Sequence, residues 1–378
     1  MSDLLRSALS ARIAQLPSLP QRDEEDEEHE SEEAAHIIGS LPGSGMGPPA
    51  MPRRHPKSSR PPNPQYAPIS AFSCYQQALQ VVVPSRGLDF RVYYTSPTFA
   101  DGTVMICHHG AGYSGLTFAC FAKEVTDMTK GECGVLAIDA RRHGKTTPTS
   151  DHSDEDLSIE VLIEDFTEVI RTIFPEPASA PSLVLVGHSM GGSVVTRSCP
   201  SLLEHKYRIT GVAVLDIVEG SAIDALPFMN NLLNARPDGF NNIEEAIEWH
   251  VSTKAIRNSH SARISIPSIM VSDPTAVLPY QWRTPLRSTA PYWLSWFKGL
   301  SSNFLQARAA RILVLAGADR LDNELMIGQM QGKFQLVVVP GVGHMLQEDD
   351  PKRLAEIMVE FWRRNDRVVV GVKKVGDP

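Results

Sequence analysis

The stretch Leu183-Val184-Leu185-Val186-Gly187-His188-Ser189-Met190-Gly191-Gly192 restricts what this chain can fold into more than any other. Its apolar run reads as a buried strand, and it feeds directly into Gly-x-Ser-x-Gly. Small residues and Val194-Val195 follow and start a packed helix. A strand that becomes a helix within so few residues holds the central serine in a strained backbone conformation. Gly187 and Gly191 flank Ser189 because a Cβ at either place would collide with the neighbouring element. The strain lifts the Ser189 hydroxyl clear of the sheet. The first N–H groups of the helix then point to where an oxyanion would form.

The rest of the pattern agrees with this turn. Residues 90–94, 104–108, 135–138, 212–215, 312–316 and 335–339 read as strands, most of them continuous apolar runs. Residues 157–174 have helical periodicity, and 349–364 read as a closing helix. Alternating strands and helices predict a mostly parallel sheet covered on both faces. With the serine turn, this is an α/β-hydrolase fold: a mostly parallel central sheet flanked by helices. Residues 221–306 are too many for a simple crossover, and the periodic segments 243–251 and 292–304 predict a helical cap inserted there. The folded domain is expected over 65–366, with a tail over 367–378. Residues 1–64 combine a short amphipathic segment, an acidic run from Asp23 to Glu33 and a Gly/Pro-rich stretch. Such a segment buries too little apolar surface to offset its ordering, so it is expected to be disordered.

Charge and cysteine usage exclude several classes. A net charge of -8 argues against nucleic acid as a partner. No apolar stretch is long enough to span a membrane and no leader opens the chain, so the expected location is cytoplasm and nucleus. The cysteines at 74, 107, 120, 133 and 199 are odd in number and match no metal spacing. Free thiols are expected, with no metal and no cofactor.

A serine nucleophile needs a base and a group to orient that base. In this fold the order along the chain is Ser, acid, His. His344, in Gly341-Val342-Gly343-His344, lies just past the last strand and is the expected base. His205, His250 and His260 fall in helices or cap segments. Two carboxylates compete for the acid: Asp216 after the strand that follows Ser189, and Asp319 after the next core strand. Fold logic alone favours Asp319, the commoner location. The oxyanion hole is expected from the N–H groups of Met190 and of Ala111, the latter in a His109-Gly110-Ala111-Gly112 loop like the HGGG loop of esterases. The turn Asp139–Gly144 reads as loop organisation, with His143 a candidate substrate contact. Met229, Trp293 and Trp296 are candidate groove-lining residues, or simply cap core.

Several longer segments resemble the protein phosphatase methylesterases. They are Asp216-Ile217-Val218-Glu219-Gly220-Ser221-Ala222, Ala246-Ile247-Glu248-Trp249, Tyr292-Trp293-Leu294-Ser295-Trp296-Phe297-Lys298-Gly299, and Ala316-Gly317-Ala318-Asp319-Arg320-Leu321-Asp322 continuing through Ile327-Gly328-Gln329-Met330-Gln331-Gly332-Lys333-Phe334-Gln335. The resemblance runs from about Phe90 to the end of the closing helix. It implies a serine carboxylesterase that removes the methyl group from the carboxyl-terminal leucine of the protein phosphatase 2A catalytic subunit, free or scaffold-bound. It also implies Asp216, not Asp319, as the acid. Ala111 stands where the family has glycine and Tyr113 where a histidine is common. Two other readings remain at this stage. One is a general carboxylesterase for small esters, the other a stoichiometric phosphatase-binding inhibitor.

Overall fold

The computed structural model describes residues 61–149, 152–317 and 321–366. The amino-terminal acidic and Pro/Gly-rich stretch up to residue 60, the tail from 367 and Asp319 lie outside the described residues.

A central sheet organises the chain. Its strands are β1 (Gln77–Val83), β2 (Leu88–Thr95), β3 (Thr103–His108), β4 (Cys133–Ile138), β5 (Ser182–His188), β6 (Ile209–Leu215), β10 (Ala310–Leu315) and β11 (Gln335–Val338). They are ordered β1-β2-β4-β3-β5-β6-β10-β11. From β4 to β11 every pairing is parallel. β1 and β2 add antiparallel at one edge. β3, β4 and β5 are buried at every residue, as strands covered on both faces must be. Helices α1 (Ala119–Thr129) and α10 (Pro351–Asn365) cover one face, and α2 (Ile159–Ile173) and α3 (Met190–Glu204) the other. The chain passes from β3 to β4 on one side and reaches β5 on the other. The order therefore reverses at the carboxyl ends of β3 and β5, where open α/β sheets bind ligands.

The segment between β6 and β10 is a separate layer. It holds α4 (Glu219–Ala235), β7 (Gly239–Phe240), α5 (Ile243–Ser252), α6 (Ser259–Ser265), β8 (Met270–Ser272), β9 (Tyr280–Trp282), α7 (Trp293–Phe297) and α8 (Leu300–Gln306). Helix α9 (Asn323–Met330) then follows β10. The cap is not all helical, because β7, β9 and β8 form an antiparallel three-stranded sheet. Each is at most three residues long, below what periodicity can register. The single helix expected over 292–304 is two, broken at Gly299, whose φ of 86° no helix continues through. The closing helix likewise starts later than expected, with Pro351 in its first turn after a separate short turn Leu346–Asp349. Among the described residues no helix is long and apolar enough to cross a membrane.

The serine turn is the tightest place in the fold. A Cβ on Gly187 would run into the Gly191 carbonyl, and one on Gly191 into the His108 carbonyl. Both obstacles are backbone and cannot rotate away. We predict that Gly191→Ala costs about 3 kcal/mol or more of stability, read as a lowered denaturation midpoint. A midpoint equal to wild type would show that the turn has room the geometry denies.

Candidate active site

Ser189 is the N-cap of α3, with φ 52° and ψ -122°. A serine at positive φ is strained, and here the surrounding close-packed glycines hold it there. Met190 follows as the first helical residue, so its N–H has no acceptor within the helix.

Asp216, just past β6, is a second non-glycine at positive φ (49°). Its N–H bonds the Val314 carbonyl at 2.8 Å, which ties the bend to β10. The side chain is 4% exposed. Oδ1 accepts the Ala316 N–H at 2.8 Å, and Oδ2 accepts the His344 Nδ1–H at 2.8 Å. Burial alone would raise this carboxyl. The hydrogen bond and charge of His344, then the Ala316 N–H, hold it below the ordinary carboxylate range. With Nδ1 committed to the carboxylate, Nε2 is the ring nitrogen left for other chemistry.

The loop that carries His344 is fastened at several points. Gly343 N–H donates to Asp349 Oδ2 at 2.7 Å, and Arg257 N–H donates to Asp349 Oδ1 at 2.7 Å. The carbonyl of His344 accepts from His188 Nε2 at 2.8 Å, and the two rings lie 4.6 Å apart.

Ser189 and His344 line one cavity. Gly110, Ala111 and His188 contribute from the sheet side, and Met229, Trp293 and Trp296 from the cap. Of the expected site residues, Ser189, His344, Ala111, Met229, Trp293 and Trp296 line this cavity, Asp216 bonds His344 behind it and Met190 follows Ser189 in the chain. Trp293 and Trp296 have both roles considered for them. They are buried in the cap core, with Nε1 donating to Thr289 Oγ1 and to the Leu157 carbonyl, and they also wall the cavity. Sequence reasoning missed Arg236, which lines the same cavity with its guanidinium 3.7 Å over the Trp282 ring. Burial pushes that guanidinium down to about 10. As a residue ending α4, it looks like any arginine placed against a helix dipole.

Beneath the Gly110–Gly112 loop lies a layer of buried histidines. His143 Nδ1 donates to the Arg141 carbonyl at 2.7 Å, so Nε2 accepts the Gly112 N–H at 2.9 Å. His109 Nε2 accepts the Ala140 N–H at 3.0 Å. His143 thus holds the loop, as the reading of this turn as loop organisation has it, and does not line the cavity as its alternative role of substrate contact would need. Asp139 anchors the same region, accepting from Gly115 and Lys145 N–H at 2.8 and 2.7 Å.

Sheet order, serine turn and buried Asp–His pair together define an α/β hydrolase. Residues 105–357 match the Alpha/beta hydrolase family. Solved structures agree on the fold. They include E-2-(acetamidomethylene)succinate hydrolase (TM-score 0.59, 18% identity, 76% of this chain and 99% of that one). A thioesterase domain from the curacin biosynthetic pathway is another (TM-score 0.55, 18% identity, 75% and 99%). Closer in sequence are curated proteins named protein phosphatase methylesterase 1. The one from Cryptococcus neoformans is 46% identical over 83% of this chain and 82% of its own length. The one from Aspergillus fumigatus is 46% identical over 76% and 70%, and that from Yarrowia lipolytica 40% identical over 81% and 75%. The chain belongs to the protein phosphatase methylesterase family, and is accordingly a carboxylic ester hydrolase.

The histidine layer predicts an acid-sensitive fold. Burial lowers His108 and His143 to about 4, His188 and His250 to about 3, and His109 well below its ordinary value. Each is neutral when folded but takes a proton near pH 6.5 when unfolded. The unfolded state therefore binds more protons between about pH 6.5 and 4, and stability falls as pH drops through that window. Buried Asp139, raised to about 6, and Glu348 and Asp349, also raised by burial, act in the opposite sense there. The five histidines outnumber them. Asp216, with its lowered value, contributes only below that window. Each net proton is worth about 1.4 kcal/mol per pH unit. Melting temperature should fall steadily from pH 7 to 5. A flat profile would mean that the histidines are protonated in the fold.

Proposed function

We propose that this protein is a serine esterase that demethylates the carboxyl-terminal leucine methyl ester of the protein phosphatase 2A catalytic subunit, alone or in its scaffold-bound complex. One observation carries the chemistry: a buried Asp216–His344 pair at 2.8 Å, with His344 and the strained Ser189 on the wall of one cavity. Family membership supports the choice of substrate, since the relatives are named for a protein phosphatase and a methyl ester.

In this reading Ser189 Oγ attacks the ester carbonyl and His344 Nε2 takes its proton. Asp216 fixes the tautomer that leaves Nε2 free and stabilises the imidazolium. Met190 and Ala111 N–H groups hold the tetrahedral oxyanion, worth about 3–4 kcal/mol each by analogy with other oxyanion donors. His344 returns the proton to the departing methanol, and water then cleaves the acyl-enzyme. No step calls for a metal or cofactor. Met229, Trp293 and Trp296 present apolar surface to the leucine side chain, which suits a neutral ester at a chain end. We assign the folded domain to 65–366 with the cap over 221–306, and place the protein in cytoplasm and nucleus.

Mass spectrometry of the phosphatase carboxyl terminus, with and without this protein, tests the substrate. Loss of 14 mass units, about one CH₂, is expected in wild type. Ser189→Ala should lose about 10⁴-fold or more of turnover while melting like wild type. Asp216→Asn should lose roughly 10³–10⁴-fold, because the imidazole loses its partner and tautomer, and Asp319→Asn much less. A folded, inactive Asp319→Asn beside an active Asp216→Asn would transfer the acid to Asp319. Good turnover of small esters with no change in the methylated phosphatase would favour a general carboxylesterase instead.

A further inference from the structure

A second groove lies beside the active-site cavity. Trp282, Thr284, Pro285 and Arg287 line it, and Arg236 and Leu286 line both spaces. Those two side chains therefore form the wall between them. Leu286 packs over the oxyanion loop, since a Cβ on Gly112 would meet its side chain. The groove thus adjoins the reacting centre on the side of the cap.

The fold accounts for one of the groove's two arginines and not for the other. Arg287 Nε donates to Asn234 Oδ1 at 3.1 Å, and its Nη2 to the Leu233 carbonyl at 2.8 Å. Both acceptors lie in the last turn of α4, where a cation satisfies open carbonyls and the helix dipole. Arg236 is the first residue after α4, and its guanidinium lies 3.7 Å over the Trp282 ring. That ring is fixed in turn. Its Nε1 donates to the Pro237 carbonyl at 2.7 Å, and the Phe240 and Trp249 rings pack against it with centres 5.6 and 5.9 Å away. No described residue accepts a hydrogen bond from Arg236 or forms an ion pair with it. The charges that act on it are those of Tyr113 and Arg287, and Tyr113, pushed up to about 12 by burial, is neutral at ordinary pH. A guanidinium taken partly out of water with no acceptor is costly, and a carboxylate is the group its fork fits.

On the reading that the substrate is a peptide ending in an ester, we propose that Arg236 is a specificity-determining residue that binds the side-chain carboxylate of an aspartate or glutamate a few residues before that ester. The peptide then leaves the Ser189 cavity past Leu286 and continues into the groove. The terminal ester carries no charge, so the anion comes from a side chain further back. Met229, Trp293 and Trp296 take the terminal residue, and Arg236 borders both spaces, so a chain that follows the wall passes its edge. Stacking on Trp282 uses the face of the guanidinium and leaves the edge for a bidentate pair. It also fixes the fork before the peptide arrives, which lowers the cost of ordering it. The pair is made alike in ground and transition states, so it acts on KM rather than on kcat.

The test uses the full-length protein and short peptides that end in leucine methyl ester. Their other residues are neutral except for one aspartate, walked back from the leucine position by position, with asparagine at the same place as control. At a preferred position aspartate should raise kcat/KM by about 10-fold or more over asparagine, mainly through a lower KM. In Arg236→Gln that ratio should fall to near one. In Arg236→Lys it should be intermediate, because the charge stays and the fork is lost. The ratio compares two substrates on one enzyme, so a variant with reduced overall activity still reports it. If Arg236→Gln folds poorly, Arg236→Lys and the wild-type series decide. Equal kcat/KM for aspartate and asparagine at every position, with the esters hydrolysed, overturns the proposal and leaves the esterase reading standing. A preference that survives in Arg236→Gln overturns the assignment to Arg236. Inhibition by the neutral free-acid peptide that disappears in Arg236→Gln, with no aspartate preference, would give the residue to the product carboxylate instead. Hydrolysis of small aryl esters with no peptide ester cleaved would sink the peptide reading itself, and this proposal with it.

Discussion

The Asp216 carboxylate lies where water is excluded, and two hydrogen bonds keep it ionised, one from the Ala316 N–H and one from His344 Nδ1. An unpaired carboxylate there would take up a proton instead. Much of the surrounding structure serves those two donors. Asp216 reaches them only because its backbone bends at positive φ, and that bend is held by the bond from Asp216 N–H to the Val314 carbonyl. Ala316 follows β10 directly, so the register of β6 against β10 aligns the Ala316 donor with the carboxylate. His344 is held at its carbonyl by His188, and its loop by Asp349. The site is thus assembled from the ends of three parallel strands and the loop that follows a fourth. A slip of one residue in any pairing would send these side chains to the opposite face.

His188 connects this pair to the serine turn. As the residue before Ser189 it is fixed by the same strand, and its Nε2–H reaches the carbonyl of His344. Its Nδ1 is then a lone-pair nitrogen, buried and without a partner. A protonated His188 would bring two donors and a charge into that space, and burial opposes this, with the charge of His344 adding to it. The ring therefore works as a neutral strut between the nucleophile and its base. The histidines under the Gly110–Gly112 loop follow the same principle: His143 accepts the Gly112 N–H only while its Nε2 is unprotonated. Neutrality of this layer is thus a condition for the shape of the loop as well as for stability.

What was legible in the sequence follows from which interactions are local. The serine turn, the core strands and α2 are written as contiguous patterns, because each element is buried along its whole length or along one regular stripe. β1 was not legible. It is an exposed edge strand, with five of its seven residues on the surface, so burial imposes no pattern on it. The cap sheet was missed because each of its strands is too short to show a period. Asp216 could be chosen over Asp319 only by resemblance, since both end strands that point to the same edge and a single chain carries no sign of which carboxylate is reached. Arg236 left no signal at all, as its place in the cavity depends on how α4 and the cap strand β9 pack together.

The chemistry of the cavity wall bears on how the proposed reaction would turn over. Its lining is mostly apolar, which suits a leucine side chain and a neutral methyl ester. Hydrolysis replaces that ester with a carboxylate, a group that apolar surroundings disfavour. Among the described residues Arg236 is the one Lys or Arg side chain on this wall, and its stacking on Trp282 uses the guanidinium face while leaving the edge to donate. The anion formed at Ser189 therefore has two possible fates. In the proposed reaction it would pair with Arg236 or leave for water. Because Arg236 is itself partly desolvated, its pairing with the carboxylate would be stronger than at the surface. The feature that would favour binding of an acidic peptide end would then also slow its departure, so in the proposed reaction release competes with chemistry for control of turnover.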